Sequence, residues 1–282
     1  MKIGIIGAGP HILHLMATMA IPADISFELI SAHEADIYSA YDYLISSAYC
    51  PLLHPSGTQI LPSSPIETTI SLAAATKKPL IHISSGDVHD ASNSGSLITE
   101  ASIPTLHRPL AQNLWAAEEQ VRQLCPQHLI LRIGPVISTA ISALPPLAVT
   151  LQHNTTLGFD DHARFYPTPI HDVVRVIVAI VRQLDCGAAR WGTYHYQSSD
   201  GCTWYQFAEA ALAVISQYCS VNTVLIEQTN GQTSAAELSC QKLLNTFGIK
   251  QRPWRASITG MIREVLGIQA GPFTQPSAMS HY

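Results

Sequence analysis

Lys2-Ile3-Gly4-Ile5-Ile6-Gly7-Ala8-Gly9-Pro10-His11-Ile12 opens the chain with a short β-prone run and a glycine turn, after which Ile12, Leu15, Met16 and Met19 recur at helical spacing. The order is strand, glycine turn, helix. Glycines there let the backbone come close to a ligand, and the helix N-terminus offers amides and a positive dipole end to a pyrophosphate. Gly7, Gly9, Pro10, His11 and Ile12 are therefore candidate phosphate-binding residues, His11 facing either the phosphate or solvent. The pattern is incomplete. A third glycine belongs near Ile12 or Leu13, and a branched side chain there pushes the helix outward or narrows the phosphate site. A tight turn with no ligand is the alternative reading.

Outward from this stretch, strands and helices alternate. Ser26 to Ser31 and Tyr43 to Ser46 read as strands, separated only by Ala32 to Asp42, which is short for a crossover helix. A helix from about Pro65 to Thr76 carries Ile66, Ile70, Leu72 and Ala73; Pro79 stops it before a strand at Leu80 to Ser84. Gly86 to Ile103, rich in Ser, Asn, Gly and Asp, reads as a loop long enough to carry function. A helix from Leu110 to Leu124 leads into a strand at Leu129 to Ile133. Parallel strands joined in this way need right-handed crossovers and helices on both faces, so a doubly wound α/β domain is expected. The second half is less regular. Pro145-Pro146 and Gln152 to Pro169 read as connections, His171 to Leu184 as an apolar helix, Gly192 to Tyr196 as a strand, and Trp204 to Gln217 as a helix with Trp204, Phe207 and Leu212 at core-packing offsets. Val221 to Glu227 reads as a strand, two short helical pieces follow Gln232, and Ala270 to Tyr282 reads as a frayed tail.

With 282 residues, 47% hydrophobic and 12% charged, the chain can bury a large core as one domain or a domain with a dependent lobe. A net charge of -5, scattered without a basic stripe, argues against a nucleic-acid partner. No run approaches the roughly 18 apolar residues that span a bilayer, and Gly7, Gly9, Pro10, His11 and His14 interrupt what begins like a signal peptide. No membrane association is expected. The six cysteines lie far apart without a Cys-x-x-Cys, which points to reduced thiols in a cytoplasmic protein. No metal site is expected: His11 and His14 lack a third ligand, and Asp160-Asp161-His162 reads as a solvated loop. Nor does Ser84 or Ser85 with His82 and Asp87 make a hydrolase, since no Gly-x-Ser-x-Gly elbow exists and strand alternation sends His82 and Ser84 to one face and Ser85 to the other.

Several segments carry a family resemblance. They are Ile81-His82-Ile83-Ser84-Ser85-Gly86-Asp87-Val88-His89-Asp90, Glu100 to Pro104, Ala116 to Val121 and Leu131-Arg132-Ile133-Gly134-Pro135-Val136, then Tyr166 to Asp172, Trp191 to Tyr196, Thr203 to Glu209, Leu238 to Leu243, Phe247 to Ile249 and Trp254-Arg255. Their order and spacing resemble the extended short-chain dehydrogenase/reductases, and in particular the dTDP-4-dehydrorhamnose reductase branch, over roughly residues 1 to 266. The resemblance implies a Rossmann-like sheet with a smaller C-terminal substrate-binding lobe. The expected division is 1–138 with 164–197 for the dinucleotide-binding part, 139–163 with 198–269 for the lobe, and 270–282 for a flexible tail.

The resemblance also implies NAD or NADP as cofactor, a nucleotide-sugar ligand and a homodimer or other protein partner. Glu28, Glu34 and Asp36 are none of them well placed to read a ribose, and no arginine nearby favours a 2′-phosphate, so NAD versus NADP stays open. Ser85 falls at the family's catalytic Ser/Thr. Ser46 and Ser47, with Ser84, fall along the cofactor; Asp87, Trp115 and Pro135 fall toward the substrate. The asparagine expected before the next helix is replaced within Ser64-Pro65-Ile66-Glu67. The Tyr-x-x-x-Lys positions hold Ala111 and Trp115, or in a register one residue away Leu110 and Leu114, inside an interval from Lys78 to Lys242 that contains no other lysine.

In the family the tyrosine protonates the alkoxide formed by hydride transfer, while the lysine lowers the tyrosine's pKa and binds the nicotinamide ribose. Losing a general acid alone costs about 10² to 10⁴ in rate. Two readings follow. One is a degenerate member that binds a nucleotide, a nucleotide sugar or a partner without the standard reductase chemistry. The other is an active oxidoreductase with a different proton donor among Tyr166, His89, Asp87 and His107.

Overall fold

Every residue of Leu80–Ser85 is buried, the mark of a strand covered on both faces of a parallel sheet. The computed structural model describes residues 1–6, 22–30, 35–47, 66–89, 97–139, 144–153, 156–229 and 234–268. In chain order these form β1 (Lys2–Ile6), β2 (Ser26–Ile30), β3 (Tyr43–Ser47), α1 (Ile66–Thr76), β4 (Leu80–Ser85), β5 (Leu97–Ile98), α2 (Pro109–Leu124), β6 (His128–Ile133), β7 (Val136–Ile137) and α3 (Leu144–Thr150). They continue with β8 (Thr156–Asp160), β9 (Arg164–Phe165), β10 (Thr168–Pro169), α4 (Ile170–Asp185), β11 (Gly192–Tyr196), β12 (Cys202–Thr203), α5 (Trp204–Ile215), β13 (Val224–Gln228), β14 (Glu237–Leu238), α6 (Gln241–Phe247) and α7 (Arg255–Val265).

Six strands pair in the order β11-β6-β4-β3-β1-β2, all parallel. The chain goes from β1 outward to β2, returns past β1 to β3, and then proceeds to the other edge. The direction of winding therefore reverses between β1 and β3, and the crevice beyond the carboxyl ends of strands at such a reversal is where open α/β sheets bind ligands. One face of the sheet, with Ile3, Ile5, Ile45, Ile81 and Leu131, packs against Val173, Val176, Ile177 and Ile180 of α4. The opposite face, with Ile6, Leu44, Leu80 and Ile130, packs against α1 through Ile70 and Ala73 and against α2 through Ala117 and Val121.

A separate apolar cluster joins α3, α5 and α7. Phe165, Trp204, Phe207 and Trp254 stack in sequence with centroids 4.8 to 5.9 Å apart. Two stretches read as connections belong to it. Pro145 and Pro146 lie in the first turn of α3, where a missing N–H costs nothing because those amides have no partner in the helix. Within Gln152 to Pro169, β8 pairs in parallel with β13 from Thr156↔Val224 to Asp160↔Gln228, which brings Leu157, Phe159 and Leu225 onto the cluster; β9 pairs with β12 and β10 with β7. Within the described parts of Gly86 to Ile103, also read as a loop, Gly86–Val88 form a 3-10 turn and β5 pairs with β14. The tail from Ala270 lies outside the described residues. No described helix is long and apolar enough to cross a membrane.

Candidate functional site

Strand register assembles the carboxyl edge of the sheet. Ser46 lies opposite His82, Ser84 opposite Arg132, and Ser85 opposite Ile133, immediately before Gly134 and Pro135. Ser46, Ser47, Ser84 and Ser85 are all buried, and Pro135 is half-buried at the end of the edge. Five of the residues expected to bind cofactor, Gly7, Gly9, Pro10, His11 and Ile12, lie outside the described residues.

Ser85 spends its hydroxyl on its own chain. Its Oγ accepts the Asp87 amide at 3.0 Å, capping the 3-10 turn, and donates to Asp87 Oδ2 at 2.8 Å. Arg108, at the N-cap of α2, donates to the Asp87 carbonyl at 3.4 Å and lies 3.8 Å from Asp87 Oδ1. Asp87 and Arg108 keep 28% and 41% of their side-chain surface exposed, while Ser85 is buried.

Helix α2 lies over this edge. Leu110, Ala111, Leu114, Ala117, Glu118 and Val121 form its buried face, and Leu110 and Leu114 pack with Val88, the last residue of the 3-10 turn. Trp115 is half-buried against that group, with the Arg122 guanidinium 4.7 Å and the Arg132 guanidinium 5.8 Å from its ring centroid, so its face stacks on cations. One turn further, Glu118 accepts from Ser84 Oγ at 2.6 Å, from Arg132 Nε and NH2 at 2.9 and 2.7 Å, and from Arg122 NH2 at 2.7 Å. Burial alone would raise the Glu118 carboxyl, but these bonds and charges, Arg132 foremost, hold it below its ordinary value.

The remaining Arg132 nitrogen, NH1, donates to Nε2 of His89 at 3.1 Å and, at 3.5 Å, to Nε2 of His195. Arginine can only donate, so each imidazole accepts through Nε2 and carries its proton on Nδ1. Burial first, and then the Arg132 charge, lowers His89 to about 4 and His195 to about 3. His82 bonds Ser46 Oγ through Nδ1 at 2.9 Å and is lowered by burial to about 4. A polar seam therefore runs under α2 from Ser46 through His82, Ser84 and Arg132 to His195.

Two alternative proton donors are disfavoured by their surroundings. His89 is 1% exposed and neutral. Tyr166 is pushed well above the ordinary tyrosine range, first by burial and then by its bond to Glu237. His107 is exposed, and Asp87 is engaged with Ser85. No sequence motif marks Glu118 or Arg108, whereas Arg132, an arginine within the apolar run Leu129 to Ile133, signals a buried partner. Among the described residues, no group of three or more His, Cys, Asp or Glu could hold a metal ion.

Residues 65–266 match the family model described as RmlD substrate binding domain. Among solved structures, the chain is similar to a dTDP-4-dehydrorhamnose reductase from Clostridium acetobutylicum, with 15% identity, 94% of this chain and 100% of that chain covered, and a TM-score of 0.77. A dTDP-4-dehydrorhamnose reductase from Bacillus anthracis in complex with NADP aligns with 12% identity over 93% of this chain and 99% of that one, TM-score 0.73. A UDP-N-acetylglucosamine 4-epimerase from Bacillus cereus aligns with 12% identity over 94% and 99%, TM-score 0.71. At these identities the likeness is one of fold. No curated protein matches the chain in sequence.

Proposed function

Because the chain belongs to the RmlD substrate binding domain family, we propose that it binds a nucleotide or nucleotide sugar beyond the carboxyl ends of β3, β4 and β6, without the standard reductase chemistry. The observation that supports this reading is on α2. Its sixteen residues include neither tyrosine nor lysine, and the face it turns toward the Ser85 turn presents Leu110 and Leu114, 8% and 2% exposed, packed on Val88. Reducing a ketone requires a proton for the alkoxide as hydride arrives. The hydroxyl of Ser85 already gives its proton to a carboxylate.

The described residues fit only part of NAD or NADP. Ser46 and Ser47 end β3 beside β1, a polar setting suited to the pyrophosphate side of a dinucleotide, and the NADP in the Bacillus anthracis structure supports keeping NAD or NADP in the proposal as a ligand. At the nicotinamide end α2 offers no ammonium for the ribose and no phenol for the proton, so the fit fails there and no hydride step is derived. A binding role of this kind suits a regulatory or partner subunit in the cytoplasm, as a homodimer or with another protein.

The test is titration calorimetry of the purified protein with dTDP-glucose, NADH and NADPH, beside a turnover assay on dTDP-4-keto sugars. The expected outcome is nucleotide-sugar binding, weak or no cofactor binding and no turnover. Micromolar cofactor affinity together with turnover overturns the reading and restores an active oxidoreductase, in which case Ser85→Ala lowers the rate by a large factor.

A further inference from the structure

The turn after β4 is fastened to the sheet by one histidine. His89 closes the 3-10 turn Gly86–Val88, its amide donating to the Gly86 carbonyl at 3.0 Å, and its side chain, 1% exposed, reaches Arg132 of β6. Arg132 NH1 donates to His89 Nε2 at 3.1 Å and to His195 Nε2 at 3.5 Å, and the two imidazoles meet edge to face with centroids 6.4 Å apart. A guanidinium can only donate, so both contacts exist only while Nε2 keeps a free lone pair. A protonated His89 carries N–H on both nitrogens. It sets a donor against a donor at 3.1 Å and one buried positive charge against another.

The groups around His89 do not offset that conflict. Glu118 of α2 favours the proton, but its two oxygens are taken by Arg132, Arg122 and Ser84. From β11, His195 leans on the same guanidinium, with Glu100 spent on the His195 amide. The two histidines differ in how freely they can leave. His195 lies in a strand paired with β6 from Gly192↔Leu129 to Tyr196↔Ile133, whereas His89 follows a short turn whose apolar hold is Val88 on Leu110 and Leu114. We propose that His89 is an acid-sensitive latch: a proton taken up at its Nε2 frees the Gly86–His89 turn and the first half of α2 from the sheet while the rest of the fold stays closed. Burial and the Arg132 charge lower His89 from 6.5 to about 4. Between those values the opened turn binds a proton that the closed turn refuses, so opening gains as the pH falls. The turn stands at the carboxyl end of β4, so its release rearranges the edge assigned to the ligand; that consequence alone rests on the nucleotide-sugar reading.

The experiment is hydrogen exchange of the full chain without ligand, read as protection factors corrected for the intrinsic rate at pH 7.5 and pH 5.0, in the wild type and His89→Gln. Glutamine keeps an acceptor for Arg132 and does not titrate, and a matching melting curve at pH 7.5 confirms the variant's fold. In the wild type, Val88, His89 and residues 110–114 are expected to be less protected than β11 and α4 at both pH values, which marks local opening. Their protection is expected to fall roughly tenfold or more at pH 5.0, since a histidine lowered in this way shifts the equilibrium about tenfold per pH unit across its window. In His89→Gln that fall is expected to vanish. Protection of the turn that is unchanged with pH, protection equal to that of β11 and α4, or a fall that persists in His89→Gln overturns the latch. The wild-type comparison decides by itself if the variant does not fold.

Discussion

Glu118 and Arg132 are joined by a two-pronged ion pair, Nε and NH2 of the guanidinium at 2.9 and 2.7 Å from the two carboxylate oxygens, with 0% and 2% of the side chains exposed. Taking two charges out of water is costly, and the pair is tolerable because the carboxylate oxygens and guanidinium nitrogens themselves are all used: Ser84 and Arg122 complete the carboxylate, and His89 with His195 takes the last guanidinium nitrogen. Removing one partner leaves the other charge stranded. Arg132→Met is therefore expected to lose about 3 to 5 kcal/mol, while Glu118→Leu combined with Arg132→Met loses much less than the sum of the single variants. Urea unfolding of the single and double variants checks this; additive losses would show that the two residues act independently.

How far this pair was legible in the sequence is instructive. The central sheet was readable because buried parallel strands are largely apolar runs, as in Ile3 to Ile6 and Leu129 to Leu131, and because α2 and α4 keep helical spacing. Ser85 could be placed by the motif around it. Arg132 announces a buried charge, but its partner is fixed by the way α2 crosses β4 and β6, which no local pattern records. Helix α3 was hidden by two prolines that are harmless only in a first turn, and β8 by the need for a parallel partner, β13, far along the chain. The capping of the Asp87 amide by Ser85 was invisible for another reason: whether a serine hydroxyl at a strand end turns back on its own chain is set by its rotamer, which no sequence pattern records.

Three buried histidines make the fold acid-sensitive. His82, His89 and His195 are lowered from 6.5 to about 4, about 4 and about 3, in each case first by burial. Between those values and 6.5 the unfolded chain binds protons that the folded chain refuses, so stability rises with pH across this window. Stability is complete above about pH 6.5 and falls as the pH drops toward 4, each histidine adding a slope of about 1.4 kcal/mol per pH unit. Melting temperatures measured from pH 7.5 down to 4.5 should fall steeply, and His89→Gln, which keeps an acceptor for Arg132, should make the decline shallower. A melting temperature that is flat over this range contradicts the neutral assignment.

Trp254 anchors the second apolar cluster. It is fully buried, its ring lies 5.2 Å from that of Phe207, and the Arg255 guanidinium covers it at 4.3 Å. Trp254→Ala should cost about 3 to 5 kcal/mol through the lost contacts and the cavity left behind. Thermal unfolding checks the size of the loss, and hydrogen exchange checks its place: protection should drop in α5 and α7 while β3, β4 and β6 keep theirs. A uniform drop would mean that the two clusters unfold as one unit.

The outer side of β11 depends on two side chains from other segments. Among the described residues β11 is the last strand of the sheet, with no strand paired on its outer side, and an edge of this kind is a template for pairing with another chain. Glu100 Oε1 accepts the His195 amide at 3.1 Å, and Lys242 Nζ donates to the Thr193 carbonyl at 2.7 Å, so one amide and one carbonyl of the edge are satisfied by charged groups. Burial, the leading influence, raises the Glu100 carboxyl above its ordinary value, yet it must stay ionised to serve as a strong acceptor. Glu100→Ala leaves a half-buried N–H without its partner and is expected to cost about 1 to 3 kcal/mol. It also removes the charge that keeps a second strand away, so aggregation during thermal unfolding should begin at a lower temperature, and Glu100→Gln, which restores the acceptor but not the charge, should recover the stability more fully than the solubility. Light scattering followed alongside the melting curve separates the two effects: a Glu100→Gln protein that aggregates no sooner than the wild type would show that the hydrogen bond alone protects the edge.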